Sequence, residues 1–381
     1  MKVLFICNNA FNPGNGLSVS ALTTVKNLKS HGVDARLMAV RNDDPQGQQP
    51  DFPLEHFIFP VFEPIIKANG FCYAKVDKKR IREAIQWADV VQFEEALFLE
   101  TAAVKIARSM GKACVATFHL YPHNIMANLG FSKRSFVNDI LMHNWNTMLL
   151  DKCSDIQCPT EEVRRYLEAK GTKARLHVIS NGLKIEGEAR ANTPGLDASY
   201  YDILCVGRLA REKSQDTLLD AMRHSKYAGK IRLHFAGNGP MAARYRKMAD
   251  KLVKDGVLSV APDFNFYSRE ELKALSRKAY LYVHCAWVEV EGLSCLEAIK
   301  EGAVPVIAEG ELIGTPQFSL TERSLYPVFD SKALAGRIDW WIEHPEERDR
   351  YSLLYAQSVS KYDVENSIES LIRMYKTALN A

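Results

Sequence analysis

The stretch 282–307 constrains the fold of this 381-residue chain more than any other. Its sequence, YVHCAWVEVEGLSCLEAIKEGAVPVI, has the pattern of a short strand, an acidic turn, a helix and an apolar strand. Two strands joined by a helix predict a parallel α/β sheet. The helix begins near Gly292, Leu293 and Ser294, whose backbone N–H groups have no partner inside the helix and can hold an anion.

Two carboxylates flank this turn: Glu289 precedes it, and Glu297 lies one turn into the helix. An isolated pair of glutamates is usually a solvated pair of surface residues. Here seven residues separate the two, and Gly302, Pro305 and Val306 follow. This pattern resembles the retaining glycosyltransferases of family 4. The resemblance implies that Glu289 holds a hydroxyl of the donor sugar and that Glu297 holds the ribose hydroxyls.

The role of the first glutamate has two candidates. The family usually places a glycine directly after that residue, whereas Val290 follows Glu289, and a second acid–glycine pair stands at Glu291 and Gly292. Either Glu289 or Glu291 therefore fills the first role. The seven-residue spacing favours Glu289.

A second motif lies at Gly207, Arg208 and Lys213, directly after the strand pattern YDILCV. A guanidinium binds phosphate oxygens in a bidentate manner and an ammonium acts as a compact charge, so the pair suits a diphosphate. Ion pairing at the surface is the plainer interpretation of such cations. The spacing resembles the Gly-Arg-Leu-x-x-x-Lys motif of family 4, which implies that both cations bind the donor diphosphate.

The N-terminal half opens with a β-α-β pattern: strand KVLFIC, a glycine-bearing loop, a helix, and strand DARLMAV. The resemblance implies that Gly16 of this loop lies near the donor diphosphate. A turn that needs a glycine is the equal alternative. Residues 42–70 are rich in proline and lack periodicity, which predicts a turn-rich surface segment.

The strand pattern ACVATFH ends at His119, at the sheet edge where open α/β proteins bind ligands. The phrase TFHLYPHNI resembles a bacterial branch of family 4 that includes lipid glucosyltransferases. That resemblance implies a contact between His119 and the donor sugar. The alternative is a strand-end histidine without a direct role.

The resemblance implies two facing Rossmann-like domains, the GT-B fold. We expect an acceptor-side domain over residues 1–185, a nucleotide-sugar domain over 200–355, and a C-terminal helix over 363–381 that packs back on the first domain. Periodicity is lost between these domains, near 183–199. Just before the helix pattern SREELKALSRKA, Phe266 is a candidate contact for the nucleotide base.

Composition excludes several other classes of protein. The net charge of +3, without a basic recognition tract, gives no reason to expect nucleic acid. The eight cysteines are scattered without a Cys-x-x-Cys pair, as in a reduced cytoplasmic protein. The chain has neither an Asp-x-Asp motif nor ligands at metal spacing, so we expect no essential metal and no cofactor.

The same residues bear on localisation. The N-terminus lacks a signal-peptide pattern, and no apolar run reaches the roughly 18 residues of a membrane span. The basic helix pattern KVDKKRIREAIQWA is a solvated face or a surface for anionic lipid. We therefore expect a cytoplasmic protein, free or bound peripherally at the membrane face through its N-terminal domain.

The function that the resemblance implies is transfer of a hexose from a nucleotide sugar, UDP-linked, with retention of configuration. The acceptor is a lipid, a polysaccharide precursor or a small molecule. A nucleotide-sugar epimerase on the same fold and a non-catalytic binding subunit are the alternatives. Both cations and both glutamates are retained, which favours an enzyme.

Overall fold

The computed structural model describes residues 1–12, 16–61, 63–68, 71–128, 136–192 and 199–380. Contacts between them divide the chain into two units. Unit 1 takes residues 1–126, 131–182 and 364–381, and unit 2 takes residues 127–130 and 183–363, as far as these are described.

Unit 1 is built on a parallel sheet of seven strands. Its strands are β1 (Lys2–Ile6), β2 (Asp34–Val40), β3 (Phe52–Leu54), β6 (Val90–Phe93), β7 (Ala113–Thr117), β8 (Asp155–Cys158) and β9 (Arg175–Val178). Two further strands, β4 (His56–Phe57) and β5 (Tyr73–Ala74), form a separate antiparallel pair. The order across the sheet is β3-β2-β1-β6-β7-β8-β9. The central strands are apolar throughout because helices cover both faces of a parallel sheet.

Helices connect these strands in the described part of unit 1. They are α1 (Gly16–Ser30), α2 (Glu63–Ala68), α3 (Lys78–Trp87), α4 (Phe98–Ser109), α5 (Pro122–Asn128), α6 (Phe136–Met148) and α7 (Glu161–Ala169). Two have side-chain caps: Asp77 accepts from the first turn of α3, and Thr160 accepts from Val163 N in α7.

Unit 2 has a parallel sheet of six strands. They are β10 (Tyr201–Val206), β11 (Ile231–Ala236), β12 (Asp263–Asn265), β13 (Leu281–His284), β14 (Val304–Glu309) and β15 (Leu325–Pro327), in the order β12-β11-β10-β13-β14-β15. The helices are α8 (Asp216–Ala221), α9 (Ala242–Lys254), α10 (Arg269–Lys278), α11 (Leu293–Lys300), α12 (Ser331–Glu343) and α13 (Pro345–Ser358). Strand β13, helix α11 and strand β14 form the β-α-β unit predicted from residues 282–307, with Leu281 opposite Val304.

The last helix, α14 (Val364–Leu379), belongs to unit 1. Its buried face, which includes Ile368, Leu371 and Tyr375, packs with Val3 and Phe5 of β1. Each such buried aliphatic or aromatic side chain contributes about 1.5 to 3 kcal/mol. This packing returns the C-terminal helix to the first unit, as expected.

One segment differs from the sequence prediction. Within the turn-rich stretch 42–70, residues Phe52–Leu54 form β3, which pairs in parallel with β2. Pro53 is tolerated there because β3 is the edge strand of the sheet, where one side of the strand needs no donor. The prolines correctly predicted a segment rich in turns, but they gave no indication of β3.

No helix in the described part of the chain is long and apolar enough to cross a membrane.

Gly302 lets the chain entering unit 2 lie against α11. Its φ is +85°, and an added Cβ would sit 2.4 Å from Asn192 N and 2.7 Å from the Arg190 carbonyl oxygen. The contact is anchored by Ser352, whose hydroxyl donates to the Gly302 carbonyl and accepts from Asn192 N. Both a left-handed backbone and close packing therefore require glycine here.

We predict that Gly302→Ala lowers the free energy of unfolding by about 2 to 5 kcal/mol, because left-handed strain of about 1 to 2 kcal/mol adds to overpacking of about 1 to 3 kcal/mol. Gly256, with φ +73° and open space around it, is the control in the same unit. Gly256→Ala should show the strain alone. Urea unfolding of both variants makes the comparison, and equal losses would contradict the close contact.

Candidate active site

In unit 2, the loops that follow β10, β11 and β13 meet at the carboxyl edge of the sheet. Leu209 N donates to the Asn238 carbonyl at 2.9 Å, and Trp287 N donates to the Glu212 carbonyl at 3.0 Å. Trp287 Nε1 also donates to the Arg211 carbonyl at 3.2 Å. These bonds bring the segment 207–213 beside the segment 285–292, at the edge where open α/β sheets bind ligands.

Glu289 lies at the centre of this edge. Its carboxylate accepts a hydrogen bond from Lys213 Nζ, and its Oε2 lies 3.3 Å from Nε2 of the buried His284. The backbone is held on both sides: Glu289 N donates to the Leu312 carbonyl, and Gly314 N donates to the Glu289 carbonyl, each at 2.8 Å. The carboxylate is therefore held in position by contacts within unit 2.

The electrostatics follow from this geometry. Burial alone would raise the pKa of Glu289, but the charge of Lys213 and the contact with His284 outweigh it and lower the pKa to about 2. The residue is thus a carboxylate at every physiological pH. It can accept hydrogen bonds and can donate none.

The second cation is also tied to a carboxylate. Arg208 Nη2 donates to Glu212, which is 1% exposed, and Gln215 Nε2 donates to the Arg208 carbonyl at 2.9 Å. Glu212 and His284 were not among the sequence-predicted site residues. Each had one signal: Glu212 lies inside the Gly-Arg-Leu-x-x-x-Lys motif, and His284 ends a strand.

The first turn of α11 supplies backbone donors next to Glu289. Gly292 caps the helix with φ +87°, and a Cβ there would lie 2.5 Å from Thr315 Oγ1, so both conformation and space require glycine. The Ser294 hydroxyl bonds to Tyr282 OH at 3.1 Å, which fixes the side chain below the turn. The N–H groups of 292–294 stand at the helix start, where a helix provides no backbone partner for them.

Glu297 and Phe266 lie on the same edge but are more open. The Glu297 side chain is half exposed, and its nearest cation is Arg269, at 4.0 Å. Partial burial raises the pKa of Glu297, against the opposing charges of Arg269 and Lys300. Phe266 follows β12 directly and is 72% exposed. Its ring is therefore accessible for stacking on an aromatic ligand.

The two candidates for the first glutamate have different surroundings. Glu289 lies beside Lys213, whereas Glu291 is buried near Tyr362. Burial raises the pKa of the Tyr362 phenol, and the negative charge of Glu291 raises it further. The geometry supports Glu289 as the residue that meets a ligand. The assignment of its ligand stays a prediction.

The other two sequence-predicted residues lie in unit 1. His119 follows β7 and bonds through Nε2 to Glu94 at 2.7 Å. Gly16 is the first residue of α1, with open space where a Cβ would be. No turn with positive φ requires glycine at this position, and a role for Gly16 toward the donor stays a prediction.

Beside His119 lies a buried acidic cluster, which we define as Glu94, Glu95 and Glu100. Asn8 joins two of them: its Nδ2 donates to Glu95 at 2.9 Å and to Glu100 at 3.0 Å, and its backbone N donates to Glu95 at 2.8 Å. Burial raises the pKa of Glu95 to about 7, against the hydrogen bonds from Asn8, and also raises that of Glu100. Among the described residues, no group of three or more His, Cys, Asp or Glu is arranged to hold a metal ion.

We predict that Glu95→Gln stabilises the protein, relative to wild type, as pH rises from 5 to 8. With a folded pKa of about 7 against 4.5 when unfolded, Glu95 binds more protons in the folded state, so its contribution to stability falls across that window. The relative gain should be about 2 to 3 kcal/mol in urea unfolding. The exposed Glu83→Gln is the control, and a pH-independent difference would contradict the burial argument.

Two family models match this chain. One is described as Glycosyltransferase Family 4 and matches residues 14–186; the other is described as Glycosyl transferases group 1 and matches residues 188–353. No curated protein matches the chain.

Solved structures are also similar. HepE of Anabaena, in complex with UDP and glucose, is 16% identical over 99% of this chain and 100% of its own, with a TM-score of 0.73. The lipopolysaccharide outer core galactosyltransferase WaaB is 14% identical over 99% of each chain, with a TM-score of 0.69. The catalytic domain of a cholesterol-alpha-glucosyltransferase from Helicobacter pylori is 41% identical over 42% of this chain and 98% of its own, with a TM-score of 0.40.

The full-length matches confirm the expected fold class, two Rossmann-like α/β domains of the GT-B type. The two family models lie end to end and together account for most of the chain. The chain therefore belongs to glycosyltransferase family 4 and is a glycosyltransferase that uses a nucleotide sugar.

Proposed function

We propose that the protein transfers a hexose from a UDP-linked sugar to a hydroxyl of a lipid or glycan acceptor, with retention of the anomeric configuration. The observation that carries this proposal is the convergence of Arg208, Lys213, Glu289 and the start of α11 at one edge of unit 2. This arrangement supplies two cations and backbone donors for a diphosphate, beside one fixed carboxylate for a sugar hydroxyl.

The main chemical demand of the reaction is the negative charge that develops on the departing diphosphate. Fixed cations and backbone dipoles stabilise such charge without reorganising, which is their advantage over water. The Arg208 guanidinium can bind two phosphate oxygens at once, and the Lys213 ammonium can bind one. The N–H groups of 292–294 add a third set of donors, because helix starts favour anions.

The remaining residues recognise the rest of the donor. Glu289 accepts a hydrogen bond from a hydroxyl of the sugar, and Glu297 accepts from the ribose hydroxyls. Phe266 offers an exposed ring to the base. UDP-glucose is the first donor to test, because HepE, a full-length structural match, has been solved in complex with UDP-glucose.

The acceptor side of the proposal rests on the surface of unit 1. Phe57, Ile58 and Val61 are exposed by 44%, 59% and 78% within one short segment, and the basic helix α3 follows in the chain. Exposed apolar side chains and a basic helix on one unit suit the interface of an anionic membrane. We therefore place a lipid acceptor, met by peripheral binding through unit 1, ahead of a soluble glycan.

The proposal is tested by incubating the purified protein with UDP-sugars and measuring UDP release with and without acceptors. One arm supplies lipid alcohols in anionic vesicles, and another supplies soluble glycans. UDP release that depends on acceptor, with an α-linked product from an α-linked donor, supports the proposal. Epimerised UDP-sugar, or binding without any turnover, would overturn it.

We predict that Arg208→Ala and Lys213→Ala each lower turnover by about two to three orders of magnitude, the scale for one donor to a developing oxyanion. Affinity for UDP should fall much less, since the leaving charge grows only as the bond breaks. Arg211→Ala, in the same short segment, controls for loss of one positive charge.

EDTA should leave transfer unchanged, because the two cations neutralise the diphosphate. Loss of transfer in EDTA, with recovery in magnesium or manganese, would contradict this scheme. The two cations would then have roles in binding or in structure.

We predict that Glu297→Gln weakens binding of UDP by about 1.5 to 3 kcal/mol, the range for hydrogen bonds to a charged group. Calorimetric titration measures the affinity. Glu301→Gln, at the end of the same helix, is the control. Unchanged affinity in the Glu297 variant would refute the ribose assignment.

A further inference from the structure

The pair formed by His119 and Glu94 has the geometry of an oriented histidine. His119 Nε2 lies 2.7 Å from Glu94 Oε2, and the two side chains are only 6% and 3% exposed. The residues follow β7 and β6, which are neighbours in the sheet, and Glu94 N is anchored to the Ile6 carbonyl at 3.1 Å. No described residue bonds to the other ring nitrogen, Nδ1 of His119.

Two of the other histidine–carboxylate pairs serve as comparisons. Asp155 binds His177 at 2.7 Å and Asp202 binds His234 at 3.0 Å, and both aspartates lie near the amino ends of their strands. Each of these carboxylates also binds an arginine, which completes a structural ion cluster. Both lie at the sheet edge opposite to the one where ligands bind.

The Glu94 pair differs from those two in position and in its partners. It lies at the carboxyl edge, and Glu94 has no arginine partner among the described residues. Its second oxygen, Oε1, is buried without a hydrogen bond from any described residue, and so is Oε1 of the adjacent Glu95. A buried carboxylate that is left so incompletely bonded costs stability, which points to function rather than to structure.

We propose that Glu94 is a positioning residue for sugar transfer: it fixes the ring of His119 so that Nδ1 is presented to a hydroxyl of the substrate. The inference rests on the proposed function, and it names a residue that neither motif identified. A carboxylate accepts hydrogen bonds and donates none, so Nε2 of His119 must carry the proton. In the neutral ring, Nδ1 is then an acceptor, which matches a hydroxyl donor.

The orientation has a distinct chemical consequence. An amide at position 94 could turn either its oxygen or its nitrogen toward the ring, so both tautomers of His119 would become populated. The volume at position 94 would hardly change. Glu94→Gln therefore separates loss of orientation from loss of packing.

The first test is spectroscopic and needs no activity. In protein labelled with ¹⁵N at histidine, the His119 resonances are assigned by their absence in His119→Gln. At a pH where the ring is neutral, wild type should carry its proton on Nε2, and Glu94→Gln should show a mixture of tautomers. A mixture in wild type, or an unchanged single tautomer in the variant, would overturn the proposal.

The second test is kinetic. Glu94→Gln should lower kcat at least tenfold, with the KM for the donor changed less than about threefold. The double variant Glu94→Gln with His119→Ala should be no slower than His119→Ala alone, because Glu94 acts only through that ring. Additive losses, or unchanged kcat in Glu94→Gln, would overturn the positioning role.

The matched control is Asp202→Asn, which breaks a histidine pair of the same kind in unit 2. It should lower thermal stability while leaving kcat and the His119 tautomer unchanged. If no UDP-sugar is turned over at all, the proposed function fails, and the tautomer measurement still decides the role of Glu94. If transfer occurs and the Glu94 variant behaves as wild type, only this inference fails.

Discussion

The site in unit 2 depends on one carboxylate held between two cationic or basic groups. Glu289 receives the Lys213 ammonium and lies against His284, while its backbone is bonded on both sides. A charge this enclosed is stable only when it is paired, because desolvation would otherwise drive the group to its neutral form. The pairing joins the loop after β10 to the loop after β13 at the carboxyl edge of the unit 2 sheet.

Both cations of this site are paired with carboxylates. Lys213 is bonded to Glu289, and Arg208 is bonded to Glu212, so neither cation lies bare at the edge of the sheet. In the function proposed above, a diphosphate competes with these two carboxylates for the cations or shares the cations with them. Such a site loses little order when a ligand arrives, and preorganised charge of this kind is most effective for a transition state.

The sequence was sufficient where the information is local. The β-α-β unit of β13, α11 and β14 follows from the run of apolar residues and the glycines. The sequence does not predict contacts between residues that are far apart in the chain. Lys213 and Glu289 are 76 residues apart, and they meet because β10 and β13 are neighbours in the sheet. The acidic cluster around Asn8 was not predicted for the same reason, because single glutamates after a strand are usually interpreted as solvated surface residues.

We propose that Glu289, which pairs with Lys213, competes with a diphosphate for that cation while itself serving the sugar. Calorimetric titration of UDP into wild type and Glu289→Gln tests it most directly, because UDP has the diphosphate and lacks the sugar. The account predicts that the variant binds UDP several-fold more tightly, since a competing negative charge is gone, while its transfer activity falls. Weaker UDP binding in the variant would contradict the account, because Glu289 would then support the diphosphate rather than compete with it.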